Sequence, residues 1–221
     1  MKFILISFFI ILFFISGQAY SKEFNKNYSI KVSGIKIGEL FWLLKIDDNN
    51  YSNEIKLKSK GVLSAIYKFE GDYFSNGIIV NNKLKPLSYK HVWKTNKTEK
   101  SMSIGFENNM LSSLVQTPYE KEKLRINVFN IKQTKDPLSS FLEIIMGETK
   151  SLVVDGRRIY TMNTKFYKKN NKTVINISDY YNLWADHKRS KFEKISFEKK
   201  DEALLPVKIN IHFDGRVFKL E

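Results

Sequence analysis

Cysteine is absent from the 221 residues. No disulfide can staple the fold, and no thiolate can act as a nucleophile or metal ligand. With no cysteine after the N-terminal apolar run, a lipid-modified N-terminus is also excluded. Glycine is scarce at ten and proline at four, and neither a phosphate loop nor a dinucleotide fingerprint occurs. The three histidines, His91, His187 and His212, lie far apart with no HExxH, Cys/His or GxSxG spacing around them, so no local metal pair or nucleophile elbow is present. A hydrolase would need dispersed groups, such as Asp186 and His187 or a carboxylate pair, and stands as an alternative reading. Acidic residues are few, 23 against 37 cationic ones, for a net charge of +14. That excess would ordinarily suggest a polyanion partner. Here lysine outnumbers arginine 32 to 5, and Lys, Asn and Ile fill about a third of the chain, the composition of an AT-rich coding sequence. The charges are also dispersed in short runs at turns, so no nucleic-acid partner and no cofactor is expected.

Long apolar runs are equally rare, with one exception. "MKFILISFFIILFFISGQAYSKEF" carries one lysine, an unbroken apolar stretch from Phe3 to Ile15, and a small-x-small site at Ala19-Tyr20-Ser21. The stretch is shorter than the roughly 20 residues that cross a bilayer as a helix. It predicts a secretory signal peptide over residues 1–21, cleaved after Ser21, with a retained anchor as the alternative. Residues 22–221 then form a single β-rich domain without linker or low-complexity tract. Export without cysteine fits a bacterial periplasm, with no transmembrane segment left after cleavage.

What the chain has in quantity is alternation. "YSIKVSGIKIGELFWLLKI" reads as one strand, wet on one side at its start and buried on both by Leu40 to Leu44. Tyr51, Ile55 and Leu57 alternate with polar residues, and further strands follow at regular intervals, separated by "NNK", "TNKT" and "ENN". Pro86 and Pro206 are expected to open strands, because proline has no place in a ladder interior. One segment departs from period two. In "KDPLSSFLEIIMG", Asp136 can cap, Pro137 suits the first helical position, and Leu138, Phe141, Leu142 and Ile145 form one apolar stripe before Gly147. A weaker helical turn is expected within 61–69. About nine to eleven strands in one sheet must curl. The fold expected is mainly β, an antiparallel meander forming an incomplete barrel or strongly curved sheet with one short amphipathic helix on its concave face.

"VVDGRRIYTM" and "FDGRVF" place Asp-Gly between β-prone runs, the signature of a tight hairpin. In the following strand Arg158 is in phase with Tyr160, Met162 and Phe166. If that phase faces inward, Arg158 stands at the mouth of an apolar concavity, with a guanidinium suited to a carboxylate or phosphate. The alternative is an ion pair with a neighbouring acid, or a side chain turned to solvent. Trp42, Trp93 and Trp184, with Tyr180 and Tyr181, are candidates to line one cavity, ordinary core packing being the alternative. Candidate ligand contacts are therefore Arg158, Tyr160, Met162, Phe166, Trp42 and Trp93.

"YSIKVSGIKIGEL", "LKPLSYKHVWKTNKTEKSMSIGF", "KDPLSSFLEII" and "VVDGRRIYTM", in that order, resemble the bacterial domain-of-unknown-function family 3108, of exported and mostly periplasmic proteins, over most of residues 28 to 215. The resemblance implies location and a β-rich fold, and transfers no catalytic residue. "LKPLSY" and "LLPVKI" are similar to the Leu-Pro strand starts of the open half-barrels of envelope lipoprotein carriers and receptors. The expected function is non-catalytic: binding of an amphipathic or lipid-like envelope molecule, or, as the alternative, an interaction scaffold with an envelope protein as partner.

Overall fold

In the computed structural model, residues 21–61, 64, 68–184, 192–200 and 203–221 are described. The segment up to residue 20, where a signal peptide is expected, and most of the expected turn at 61–69 lie outside these residues. Fourteen strands are present: β1 (Ser21–Val32), β2 (Ile35–Asp47), β3 (Asn50–Ser59), β4 (Phe69–Val80), β5 (Lys83–Thr95), β6 (Glu99–Glu107), β7 (Met110–Thr117), β8 (Thr134–Lys135), β9 (Lys150–Val154), β10 (Arg158–Tyr167), β11 (Lys172–Asn182), β12 (Phe192–Glu198), β13 (Lys208–Phe213) and β14 (Arg216–Leu220). Among the described residues one whole α-helix is present, α1 (Pro137–Ile145), between β8 and β9.

All fourteen strands belong to one sheet, ordered β7-β6-β5-β4-β3-β2-β1-β14-β13-β12-β11-β10-β9-β8. It consists of two seven-stranded meanders fused where β1 pairs with β14, Ile30 opposite Leu220. Only β8 and β9 run parallel. The register shifts at five places, including Ile30/Lys31 and Asn76/Gly77, and each bulge adds bend and twist. So wide a sheet closes on itself, and its edges β7 and β8 come back into contact without forming a ladder. The result is a nearly closed barrel with α1 inside it.

Three sequence expectations need correction. The segment Tyr28 to Ile46 is a hairpin and not one strand, because Ser33 and Gly34 both take positive φ (50° and 82°) and reverse the chain. Pro86 lies inside β5, tolerated at the Asn76/Gly77 bulge where the ladder is already interrupted; Pro206 does precede β13. The strand number is fourteen, since that hairpin and the two-residue β8 add strands that alternation does not reveal.

The core has two clusters. In the larger, Tyr28, Trp42, Leu44, Tyr160, Met162 and Ile175 close over Leu142, Ile144 and Ile145 of α1. In the smaller, Val154 and Ile159 of the β9–β10 hairpin pack on Tyr89, Met102 and Ile104. β9 and β10 are therefore buried on both faces where the barrel closes.

Candidate functional site

α1 enters the barrel with its N-terminus anchored. The Asp136 carboxylate accepts the N–H groups of Leu138 (2.9 Å) and Ser139 (3.0 Å), satisfying two of the free donors of the first turn. Its second oxygen accepts the hydroxyls of Ser139 (2.5 Å) and of Ser75 on β4 (2.9 Å). Ser139 also contacts the Tyr51 hydroxyl at 2.6 Å, and Asn53 on β3 donates to the Leu138 carbonyl (3.3 Å) while accepting the Trp42 indole N–H (2.6 Å). Burial pushes the Asp136 carboxyl above its usual range, against the four hydrogen bonds that favour its charged form. This network joins helix and wall by polar contacts that the apolar stripe of α1 does not disclose.

Two clefts open at the other end of α1. Gly147, with φ 119°, turns the chain after the helix. On one side of this turn lies a cleft of about 460 Å³. Its apolar wall is Ile144 and Ile145 from the last helical turn, Phe197 from β12 and Phe166 from the end of β10. Phe166 is 55% exposed and is the open part of this wall, Ile144, Ile145 and Phe197 being buried. Lys199 and Lys200 stand at the rim, and the Lys199 ammonium donates to the Ile145 carbonyl (3.2 Å), a favourable place for a cation at a helix C-terminus.

Across the turn lies a second cleft of about 360 Å³, into which Lys83, Lys85, Lys132, Lys135 and Lys150 converge from β5, β8, β9 and the approach to β8. Glu143 forms part of its floor at 2% exposure. It accepts the Leu84 N–H (3.0 Å) and pairs with Lys135. Glu148 lines both clefts and lies 3.6 Å from Lys83.

The six sequence candidates do not form one site. Trp42, Tyr160 and Met162 are between 1% and 3% exposed and belong to the packed interior around α1. Trp93 stacks on Phe69 with centroids 5.4 Å apart, and Trp184 joins the smaller cluster, donating to the Gly156 carbonyl (3.1 Å). The tryptophans thus sit in different surroundings: Trp42 in the larger cluster, Trp184 against the smaller one just past the end of β11, and Trp93 on Phe69. Phe166 lines the larger of the two clefts described above.

Arg158 starts β10, eight residues or about 26 Å along the strand from Phe166. Its guanidinium lies over the Tyr180 ring at 5.6 Å and 4.0 Å from Asp155. Asp155 accepts the N–H groups of Arg157 (2.9 Å) and Arg158 (2.8 Å), and Gly156 has φ 88°. "VVDGRRIYTM" is the hairpin that its Asp-Gly announces. His91 contacts the Tyr89 hydroxyl (3.1 Å) and, buried near Arg157, has its pKa lowered to about 4. His187 lies outside the described residues. Among the described residues no group of three His, Cys, Asp or Glu side chains could hold a metal ion.

The lysine cleft had no local signal, since its members span residues 83 to 150. The helix-anchoring network had one: Asn53 and Ser75 occupy the inward phase of strands that are otherwise apolar there.

Among the described residues no helix is long and apolar enough to cross a membrane. No curated protein matches the chain in sequence. Among solved structures, the chain is similar to a beta-barrel-like protein of domain of unknown function DUF1849 from Brucella abortus. The identity is 10%, the TM-score 0.48, and the match covers 89% of this chain and 94% of the other. Residues 27–214 match the family described as "Protein of unknown function (DUF3108)", and with most of its length inside that match the chain belongs to this family.

Proposed function

We propose that the protein is exported to the periplasm and there binds an amphipathic envelope molecule without catalysing a reaction on it. The observation that carries this reading is the cleft at the C-terminal end of α1, where Ile144, Ile145, Phe166 and Phe197 face Lys199 and Lys200. Its volume of about 460 Å³ is that of a small-ligand site, and its lining divides between that apolar wall and polar side chains, Glu148, Thr149, Thr164, Asn171 and Thr173 beside the two lysines, a division that suits an amphipathic ligand. The barrel interior is filled by α1, so the ligand lies at the mouth of the barrel and not along its axis. Trp42, Tyr160 and Met162 act as packing behind it.

The test is native mass spectrometry of the full chain, expressed with its leader and purified gently from a bacterial periplasm, beside a delipidated control. The expected result is extra mass that organic extraction removes, reduced in the Phe166→Asp variant. An unliganded mass in every gentle preparation would overturn the reading. Export is tested separately by cell fractionation.

A second reading, an interaction scaffold, draws support from β7, whose one ladder partner among the described residues is β6 and which carries exposed Val115, with exposed Tyr119 just beyond its end. Such an edge can accept a partner strand. Cross-linking of a partner at Val115 and not at Phe166 would favour it.

A further inference from the structure

We infer that the two clefts flanking Gly147 and Glu148 form one composite site for a single-chain amphiphile with a phosphomonoester head, the chain in the Phe166 cleft and the head among the lysines. The inference rests on the binding reading above and specifies the ligand class. Five lysines line the second cleft against two glutamates. Both acids are engaged: Glu143 by Lys135 and the Leu84 N–H, Glu148 by Lys83. Lys85, Lys132 and Lys150 form no ion pair among the described residues. Three lysines without an ion pair thus line one concavity, from β5, the approach to β8, and β9. Like charges repel there, and low-dielectric walls concentrate their field on whatever enters.

A phosphomonoester fits this arrangement better than a carboxylate. It carries nearly two negative charges at neutral pH and three strong acceptor oxygens, matching three separate point-charge donors. The fork of an arginine would instead suit a planar, bidentate acid. Continuity with the apolar cleft is what distinguishes the site from a free anion pocket. Glu148 lines both concavities, so a ligand can occupy them together by passing over one residue. Glu148 is engaged by Lys83 and half-exposed, and therefore forms a screened divide between the two.

The experiment is calorimetric binding to the full-length purified protein, with three probes used below their aggregation concentrations: lysophosphatidate, monoacylglycerol with the same acyl chain, and inorganic phosphate. Lysophosphatidate is expected to bind about tenfold or more tightly than monoacylglycerol, since a charged hydrogen bond contributes that much or more. Substituting Lys85→Gln, Lys132→Gln and Lys150→Gln together should bring the two lipids to similar affinity, while Phe166→Asp should weaken both. Circular dichroism confirms that each variant is folded. Equal affinity of the two lipids, unaltered by the triple substitution, would overturn the head assignment and leave the binding reading standing. Phosphate binding as tightly as lysophosphatidate, and unaffected by Phe166→Asp, would show a free anion site and overturn the composite one. Binding of none of the three would overturn both this inference and the reading on which it rests.

Discussion

Asn53 is a small residue with several structural duties. It lies on the inward phase of β3 between Tyr51 and Ile55, where it satisfies the Trp42 indole and a carbonyl of α1. Asn53→Ala should cost about 2 kcal/mol, because a buried donor and a buried acceptor are both left without partners; urea denaturation measures it. His91 makes a different prediction. Its imidazole titrates near 6.5 in the unfolded chain and at about 4 in the fold, chiefly because burial disfavours the charged ring. Between those values the unfolded chain binds the additional proton, so the contribution is complete above about pH 6.5 and is lost as pH falls toward 4. The thermal midpoint should fall through that window, and less so in His91→Gln. At this scale the sequence was informative about direction and silent about company. Alternation put Tyr160 and Met162 in one phase without fixing its face, and left Trp42 in a run apolar on both faces; strands far apart in sequence decided that all three would be covered. Phe166 remained open because it lies near the end of β10, beyond the part of the strand that packs on both faces.

At the scale of elements, α1 was the most legible piece. Asp136, Pro137 and Gly147 bound it in the sequence as they do in the structure. Its environment was less apparent, for Ser139, Ser140 and Glu143 are as buried as Leu142. A helix enclosed by a barrel has no solvent side, and its polar residues must find partners on the wall. Glu143→Ala should therefore destabilise by about 3 kcal/mol, since it strands Lys135 and the Leu84 N–H beside a removed charge. Glu143→Gln should lose less, and thermal denaturation of the pair separates charge from hydrogen bonding. The β1–β2 hairpin was the element that alternation concealed. Ser33 and Gly34 are both small and interrupt the period-two pattern by only one step, so the apolar phase passes through the turn with little visible break.

For the molecule as a whole, the curled β-sheet with a helix on its concave face follows from strand number and the single 3.6-period segment. The joining of the two meanders at β1 and β14 does not, because pairing between strands so far apart in the sequence leaves no mark on local pattern. Charge is the other property of the whole. Most of the lysine–glutamate pairs are exposed and individually worth little, whereas a net +14 repels itself throughout. Raising ionic strength from about 0.01 M to about 0.15 M shortens the screening length from roughly 30 Å to 8 Å, and should raise the thermal midpoint. A decrease would mean that the ion pairs outweigh the repulsion.

The seam between the two meanders also sets an order of events. A chain lengthening from its N-terminus can build β1 to β7 hairpin by hairpin from neighbours in sequence, which is fast. The edge of β1 at residues 30–32 has its partner only in residues 218–220. Until those residues are made, that edge is free to pair with another chain. β14 is made long after β1, the strand that it shields, and the interval between them is when self-recognition competes with aggregation.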